Sequence, residues 1–244
     1  MTKAMAAHQP NLLPYLGFFD KLLSVDEIGT EPGIFVIRDD CQFVLRDWHH
    51  RNRIRINTGE GWMWLYIPVD HDLAPLYKTK IRHEKKVNGR EKWTKYHLRM
   101  IRDCYKKTPF FDTFFPGLED IYLNPGDKLV DFNIRLIKYI AECFSISTKI
   151  VSYYELDECV DGKNASETLH NIAVTVGADI YVSGDGGKNY LDTTMFNNGI
   201  SLEFQNYHHP IYPQRYPNFV PYLSALDALF NVGRLPRSRE VITA

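Results

Sequence analysis

Cysteine is scarce in this chain of 244 residues: four are present, at positions 41, 104, 143 and 159. None forms a C-x-x-C pair or stands near histidines at zinc-ligand spacing, which argues against a disulfide framework and a structural zinc site. No apolar run approaches the ~20 residues of a membrane-spanning helix. The opening Met-Thr-Lys-Ala-Met-Ala-Ala is too short and too weakly apolar for a signal peptide. The expectation is a cytoplasmic, reduced protein with no membrane span. An excess of one charge is also missing: the formal net charge is -1, and no basic tail is present. General nucleic-acid binding, which needs a basic face, is therefore not expected. There is no internal repeat, no low-complexity segment and no G-x-S-x-G elbow.

What is abundant is apolar and aromatic. The hydrophobic fraction is 44%, with 15 Tyr and 14 Phe, enough for a sizeable core with rings left over for sugar or base contacts. The pattern predicts strand 3–8, helix 16–23 and strand 33–38 at the start, the order of a βαβ unit. A strand over 62–69 follows a Gly-Glu-Gly turn. Helices are predicted over 91–106, 112–122 and 128–144, from apolar residues at helical spacing. Then come strand 149–154, helix 166–176, strand 179–183, helix 190–198, strand 201–207 and helix 222–231. The tail after Gly233 lacks periodicity and reads as loosely held. The whole reads as an α/β chain: a mostly parallel, Rossmann-like sheet flanked by helices, in a single domain over 1–244 with a helical insertion near 88–145.

Three segments carry polar side chains toward such a sheet's ligand edge. The first is His8-Gln9-Pro10-Asn11-Leu12-Leu13-Pro14, between a strand's carboxyl end and a helix, where α/β sheets hold ligands. His8 offers a proton relay near neutral pH, and Gln9 and Asn11 offer oriented amides. The competing reading is a proline-shaped turn whose polar side chains cap the helix. The second, residues 38–55, reads as a charged loop. Asp39 and Asp40 could hold Mg²⁺ through one member or accept bonds from sugar hydroxyls. Gln42, Arg46, Arg51, Asn52 and Arg53 follow, and guanidinium groups there could clamp a phosphate or simply pair with neighbouring charges. The third runs from Ser183 through Gly184-Asp185-Gly186-Gly187-Lys188 to Tyr190 and Asp192. Its backbone amides could cradle an anion that Lys188 neutralises, or it could be only a tight turn. It is neither a Walker loop nor a G-x-G-x-x-G fingerprint. A basic run over 78–86 reads as solvated surface. Cys104 and Cys143 fall on apolar helix faces, and Cys41, near the site, has no fixed histidine partner for a dyad. No metal ligands are assigned.

These segments, in this order, resemble the WbqC-like family. The residues from Ala7 to Lys21 are similar to that family's opening HQPNYLPW-GYF-K pattern. Asp39 to Phe43, with Arg46 and Arg51 to Ile54, resembles its second block. Trp64 to Val69, Ser183 to Asp192 and Leu223 to Asn231 resemble later ones. Cys41 stands where an aliphatic residue is usual. The resemblance implies a role in surface-glycan biosynthesis, O-antigen included, through transfer of an acyl or aminoacyl group such as glycyl onto the amine of a nucleotide-linked sugar. On that reading His8, Asp39 and Asp40 are catalytic. Gln9, Asn11, Gln42, Arg46, Arg51, Asn52, Arg53, Ser183, Lys188, Tyr190 and Asp192 bind substrate. The partner is a small molecule, with room for a homo-oligomer. The stretch from Gln9 to Gly17 also resembles the first signature of class I aminoacyl-tRNA synthetases and nucleotidyltransferases, though their histidine-glycine-histidine core is absent. That likeness implies an alternative, an ATP- and Mg²⁺-dependent nucleotidyltransferase or ligase. A third reading is a non-catalytic binding subunit of a glycan assembly complex. The cofactor is left open.

Overall fold

The computed structural model describes residues 1–70, 74–156, 160–197 and 199–243. In chain order the elements are β1 (Ala4–His8), α1 (Leu16–Ile28), β2 (Ile34–Ile37), β3 (Arg51–Arg55), β4 (Trp62–Tyr66), β5 (Lys86–Val87) and β6 (Glu91–Lys92). Then follow α2 (Trp93–Tyr105), α3 (Phe111–Leu123), α4 (Leu129–Cys143), β7 (Lys149–Ser152), α5 (Ala165–Thr175), β8 (Ile180–Ser183), β9 (Ser201–Phe204) and α6 (Leu226–Val232). The chain divides into two compact units. One comprises Met1–Gln9, Gly17–Asp39 and Ile146–His208, and the other Pro10–Leu16, Asp40–Ser145 and His209–Ala244.

The first unit holds a five-stranded sheet in the order β7-β2-β1-β8-β9, with every neighbouring pair parallel. The parallel α/β sheet is the one expected from the sequence; counting only these strands along the chain, their order is 3-2-1-4-5, as in a Rossmann-like fold. β1 lies in the middle because its Ala-Met-Ala-Ala run is small and apolar. All four residues are buried, as a strand covered on both faces requires. The ladder stops just before Pro10, which has no N–H to donate. The core of this unit gathers Met5, Val36, Tyr181 and Phe196 with Leu169, Ile172 and Ala173 of α5. Those three positions follow i, i+3, i+4 and place one face of α5 inward. The Asn164 side chain accepts from the Glu167 N–H at the start of α5, and Gly177, at φ 65°, lies just beyond its end.

The second unit carries the β3–β4 hairpin, the short β5–β6 ribbon and helices α2, α3, α4 and α6. Its interior is aromatic: Trp93, Tyr122 and Phe132 meet edge-on or tilted at centroid distances of 5.1–5.9 Å. Asp227 of α6 is fully buried, and it accepts hydrogen bonds from the Tyr105 hydroxyl at 3.0 Å and the Gln214 amide at 2.8 Å.

Several expectations are corrected. Residues 51–55 are a strand rather than part of a loop, because alternate positions bury Asn52 and Ile54. The α-helix over 190–198 is absent among the described residues. A 3-10 turn covers Thr193–Asn197, and Asn198 lies outside the described residues. Glu91 and Lys92 pair as β6, so α2 starts at Trp93. The last helix starts at Leu226, because Tyr222 has φ 56°, outside the helical region. The tail is held: Leu235 is buried, Arg234 pairs with Glu240, and the Ile211 backbone bonds to Glu240 and Ile242. Cys159 lies outside the described residues.

Candidate functional site at the carboxyl edge of the parallel sheet

In a sheet of this order the chain leaves the central strands in opposite directions, and the crevice outside their carboxyl ends is where ligands bind. Those strands are β1 and β8, so the switch point lies between His8-Gln9 and Ser183-Gly184. The His8 Nδ1 stands 2.9 Å from the Gln9 carbonyl oxygen. A carbonyl only accepts, so Nδ1 carries the hydrogen and Nε2 is the basic nitrogen of the neutral ring. The ring edge packs on Phe18 at 5.0 Å, and the backbone of β1 is tied to β2 where the Arg38 N–H donates to the His8 carbonyl.

The turn after β8 explains its glycines separately. A Cβ on Gly187 would fall 2.1 Å from the Ser183 Oγ and 2.9 Å from the Leu191 Cδ1, so a side chain there would force both neighbours to shift. Gly186 faces open space, and at Gly184 the one atom within 4 Å of a Cβ would be the Lys21 Nζ, at 3.9 Å. Ser183 is buried, its hydroxyl donating to the Gly184 carbonyl. Lys188 is exposed and pairs with Asp185 at 2.8 Å, a surface contact that an incoming anion can exchange at little loss. Tyr190 is exposed. Asp192 caps the following 3-10 turn: its carboxylate accepts from the Thr194 hydroxyl and N–H, which hold its pKa below the ordinary carboxylate value.

Asp39 lies at the β7 side of the same edge. It is buried and accepts from the Ser152 hydroxyl at 2.5 Å and the Tyr153 N–H at 3.1 Å, so it links the carboxyl ends of β2 and β7.

Sequence reasoning missed Lys21. On α1 it occupies the apolar stripe of Phe18, Leu22 and Val25, is 4% exposed, and donates from Nζ to the Ala7 carbonyl at 3.0 Å. Burial pulls its pKa down to about 7. The signal was present: a lysine at i+3 from Phe18 and i-1 from Leu22 interrupts an otherwise apolar face.

The remaining candidates belong to the second unit. The turn over 10–14 is fixed by dedicated donors. Asn52 Nδ2 bonds the Leu12 and Leu13 carbonyls at 3.0 and 2.7 Å, and its Oδ1 accepts from the Arg53 N–H at 2.7 Å. Asn133 bonds the Pro10 and His49 carbonyls at 2.8 and 2.7 Å. Leu13 is thereby held at φ 44°, a strained value for a buried leucine. Asn52 is occupied in shaping this turn, and Asn11 is buried within it. Asp40 is half-buried, and Gln42 is exposed beside its bridge to Pro75. Arg46, at φ 72°, is exposed, and its carbonyl accepts from the Arg51 guanidinium.

Arg51, Arg53 and Arg55 project from one face of β3, opposite Tyr66, Trp64 and Trp62 of β4. The Arg51 guanidinium lies 4.3 Å from the Trp64 ring centroid, and that of Arg53 lies 5.1 Å from Trp62 and 5.7 Å from Trp48. Desolvation lowers the Arg53 pKa, with Glu60 opposing. Arg55 is buried and donates to the carbonyls of Ile56, Gly61, Pro217 and Asn218, a purely structural role. The half-exposed arginine and tryptophan grid offers flat π faces and guanidinium donors, suited to a ring bearing an anionic group.

The structure thus places His8, Gln9, Asp39, Ser183, Lys188, Tyr190 and Asp192 in the sheet-bearing unit, and Asn11, Asp40, Gln42, Arg46, Arg51, Asn52 and Arg53 in the other. Among the described residues, no group of three or more His, Cys, Asp or Glu side chains could hold a metal ion, and no helix is long and apolar enough to cross a membrane. Cys104 is buried, and burial raises its thiol pKa to about 11; Cys41 and Cys143 are half-buried.

A family model described as the WbqC-like protein family matches residues 9–238. An uncharacterized protein of Mycobacterium tuberculosis, Rv1507c, is 34% identical over 234 residues, which cover 95% of this chain and 94% of that protein. No solved structure matches the chain. A family match over nearly the whole length and a relative of this identity covering most of both chains show it: the chain belongs to the WbqC-like protein family.

Proposed function

We propose that this protein is a transferase of surface-glycan or related sugar biosynthesis that acylates or aminoacylates the amine of a nucleotide-linked sugar. The observation that carries the reading is the β1/β8 switch point, with His8 on one side and the open glycine turn on the other. His8 Nε2 acts as general base. As the sugar nitrogen attacks the carbonyl carbon of an activated ester or thioester donor, a new N–C bond forms. The proton moves from nitrogen to His8 and on to the departing oxygen or sulfur. Gln9, Ser183 and Gly184 shape the crevice floor, and Lys188 is free to leave Asp185 for a phosphate. Asp39, through its oxygens at the β7 side, orients a hydroxyl or the amine. In the second unit, taken by itself, Arg51 and Arg53 with the tryptophans beneath them offer a platform for a ring bearing an anionic group.

The test is an assay of the purified chain with amino sugars linked to UDP, dTDP or GDP and a panel of acyl and aminoacyl donors, read by mass spectrometry of the sugar product. The acylated sugar is the expected product, and His8→Ala is expected to lower turnover by about 10²- to 10⁴-fold. Turnover that survives His8→Ala removes the general-base assignment.

A second reading, an ATP- and Mg²⁺-dependent nucleotidyltransferase or ligase, draws on the same Rossmann order together with the Gln9-Pro10 turn at the end of β1. Pyrophosphate release from ATP in place of acyl transfer would favour it.

A further inference from the structure

A lysine ammonium taken fully out of water needs an anion close by, or it gives up its proton. Lys21 has no carboxylate within ion-pair reach among the described residues. It touches the Ala7 carbonyl at 3.0 Å and the face of Phe35 at 5.8 Å. Burial alone drives its pKa down, with no neighbouring charge contributing. The charged groups on the elements around it are turned to other partners. Asp20 on α1 accepts from the Gln205 amide at 2.8 Å, which also reaches the Gly17 carbonyl. Asp185 after β8 is paired with Lys188. Arg38 at the end of β2 lies over the Tyr153 ring, and the His8 ring packs on Phe18.

Its position is as informative as its isolation. Nζ sits on the penultimate carbonyl of β1 and 3.9 Å from where a Cβ of Gly184 would lie, which puts it beside the switch point between β1 and β8. Gly184 has φ -67°, a value any residue adopts, so its lack of a side chain is not a backbone requirement. What glycine leaves there is room beside the ammonium. A hydrophobic residue at position 21 would complete the stripe of Phe18, Leu22 and Val25, so the lysine there costs stability.

We propose that Lys21 is the anion anchor of the switch-point crevice, taking as its counter-ion a diphosphate that enters past Gly184. The assignment rests on the reading of this edge as the nucleotide-binding site, and it names the group that recognises the phosphates. The unliganded lysine is largely neutral above pH 7. The arriving diphosphate stabilises the charged form, so binding draws a proton from solvent.

Isothermal titration calorimetry of the full chain at pH 8 tests this. The probes are pyrophosphate, UDP, UDP-N-acetylglucosamine and ATP, each in two buffers of different ionisation enthalpy. The wild type is expected to take up roughly 0.9 proton per diphosphate bound, since a lysine of pKa about 7 is about one-tenth charged at that pH. Lys21→Met is expected to weaken binding about 10- to 100-fold and abolish the proton uptake. Gly184→Val, which fills the space but keeps the lysine, is expected to weaken binding as well. It decides the matter together with the wild-type buffer comparison if Lys21→Met does not fold. Equal binding by the wild type and Lys21→Met, or binding without proton uptake, overturns the Lys21 assignment and leaves the nucleotide-sugar reading standing. Diphosphate binding through Lys21 without acyl transfer to any amino sugar keeps the anchor and refutes the transferase. A preference for ATP over the UDP ligands keeps the anchor and identifies ATP as the source of the diphosphate. A wild type that binds none of the probes refutes both.

Discussion

Two buried charged residues behave differently because of what surrounds them. Lys21 has one carbonyl and no carboxylate among the described residues, and its pKa falls from 10.5 to about 7. A lowered folded value means that its contribution to stability is complete above about pH 10.5 and lost as pH falls to 7. Below that, folding must bury the ammonium. Lys21→Met is therefore expected to be more stable than the wild type at pH 6, with the difference shrinking toward pH 10 in urea denaturation; a less stable variant at pH 6 would mean that the ammonium has a structural partner. Asp227 sits in a full set of donors, yet burial pushes its pKa up from 3.8 to about 6. Its contribution is complete below pH 3.8 and lost as pH rises through 6. Asp227→Ala strands the Tyr105 hydroxyl and the Gln214 amide, so it is expected to lower stability by about 2–4 kcal/mol at pH 5. The loss should be smaller at pH 7.5, and an equal or larger loss there would contradict the direction of the shift. Neither role was assigned from the sequence. Lys21 interrupts an apolar stripe, but the sequence does not show that no carboxylate meets it, and Asp227 looks like a first-turn acid at a helix start. Their character comes from the groups packed against them, which lie far away along the chain.

At the scale of elements, legibility followed periodicity. Helices α2, α3, α4 and α5 and strands β1, β2, β7 and β8 were visible because each repeats apolar residues at 3.6 or fills a short run bounded by Gly or Pro. β3 was not, because its outward face is Arg51, Arg53 and Arg55, and arginines at alternate positions read as a solvated loop. They are sheet residues because each flat guanidinium has an aromatic ring or a set of carbonyls to lie against. The hairpin should therefore depend on its rings: Trp64→Ala is expected to destabilise the chain by about 1–3 kcal/mol, measured as a shift of the urea midpoint. Likewise Asn52, read from the sequence as a substrate ligand, is spent on two carbonyls and one N–H of the 10–14 turn and its neighbour. Asn52→Ala is expected to cost about 2–3 kcal/mol, because two buried carbonyls lose their donors. A neutral substitution would show that the turn holds without it.

For the whole molecule, the sequence carried the fold class because a small-residue central strand, a helix and repeated strand–helix alternation leave few arrangements other than a parallel sheet. Strand order could not be read from it, and strand order locates the crevice. The order β7-β2-β1-β8-β9 selects one point on the sheet edge, where His8, Lys21 and the Gly184 turn lie. The most direct measurement is a crystal structure of the protein soaked with a UDP-linked amino sugar. Density for the diphosphate over the carboxyl ends of β1 and β8, in contact with the Lys21 Nζ and beside Gly184, is the expected result. A nucleotide bound elsewhere, with that crevice empty, would contradict the placement of the site.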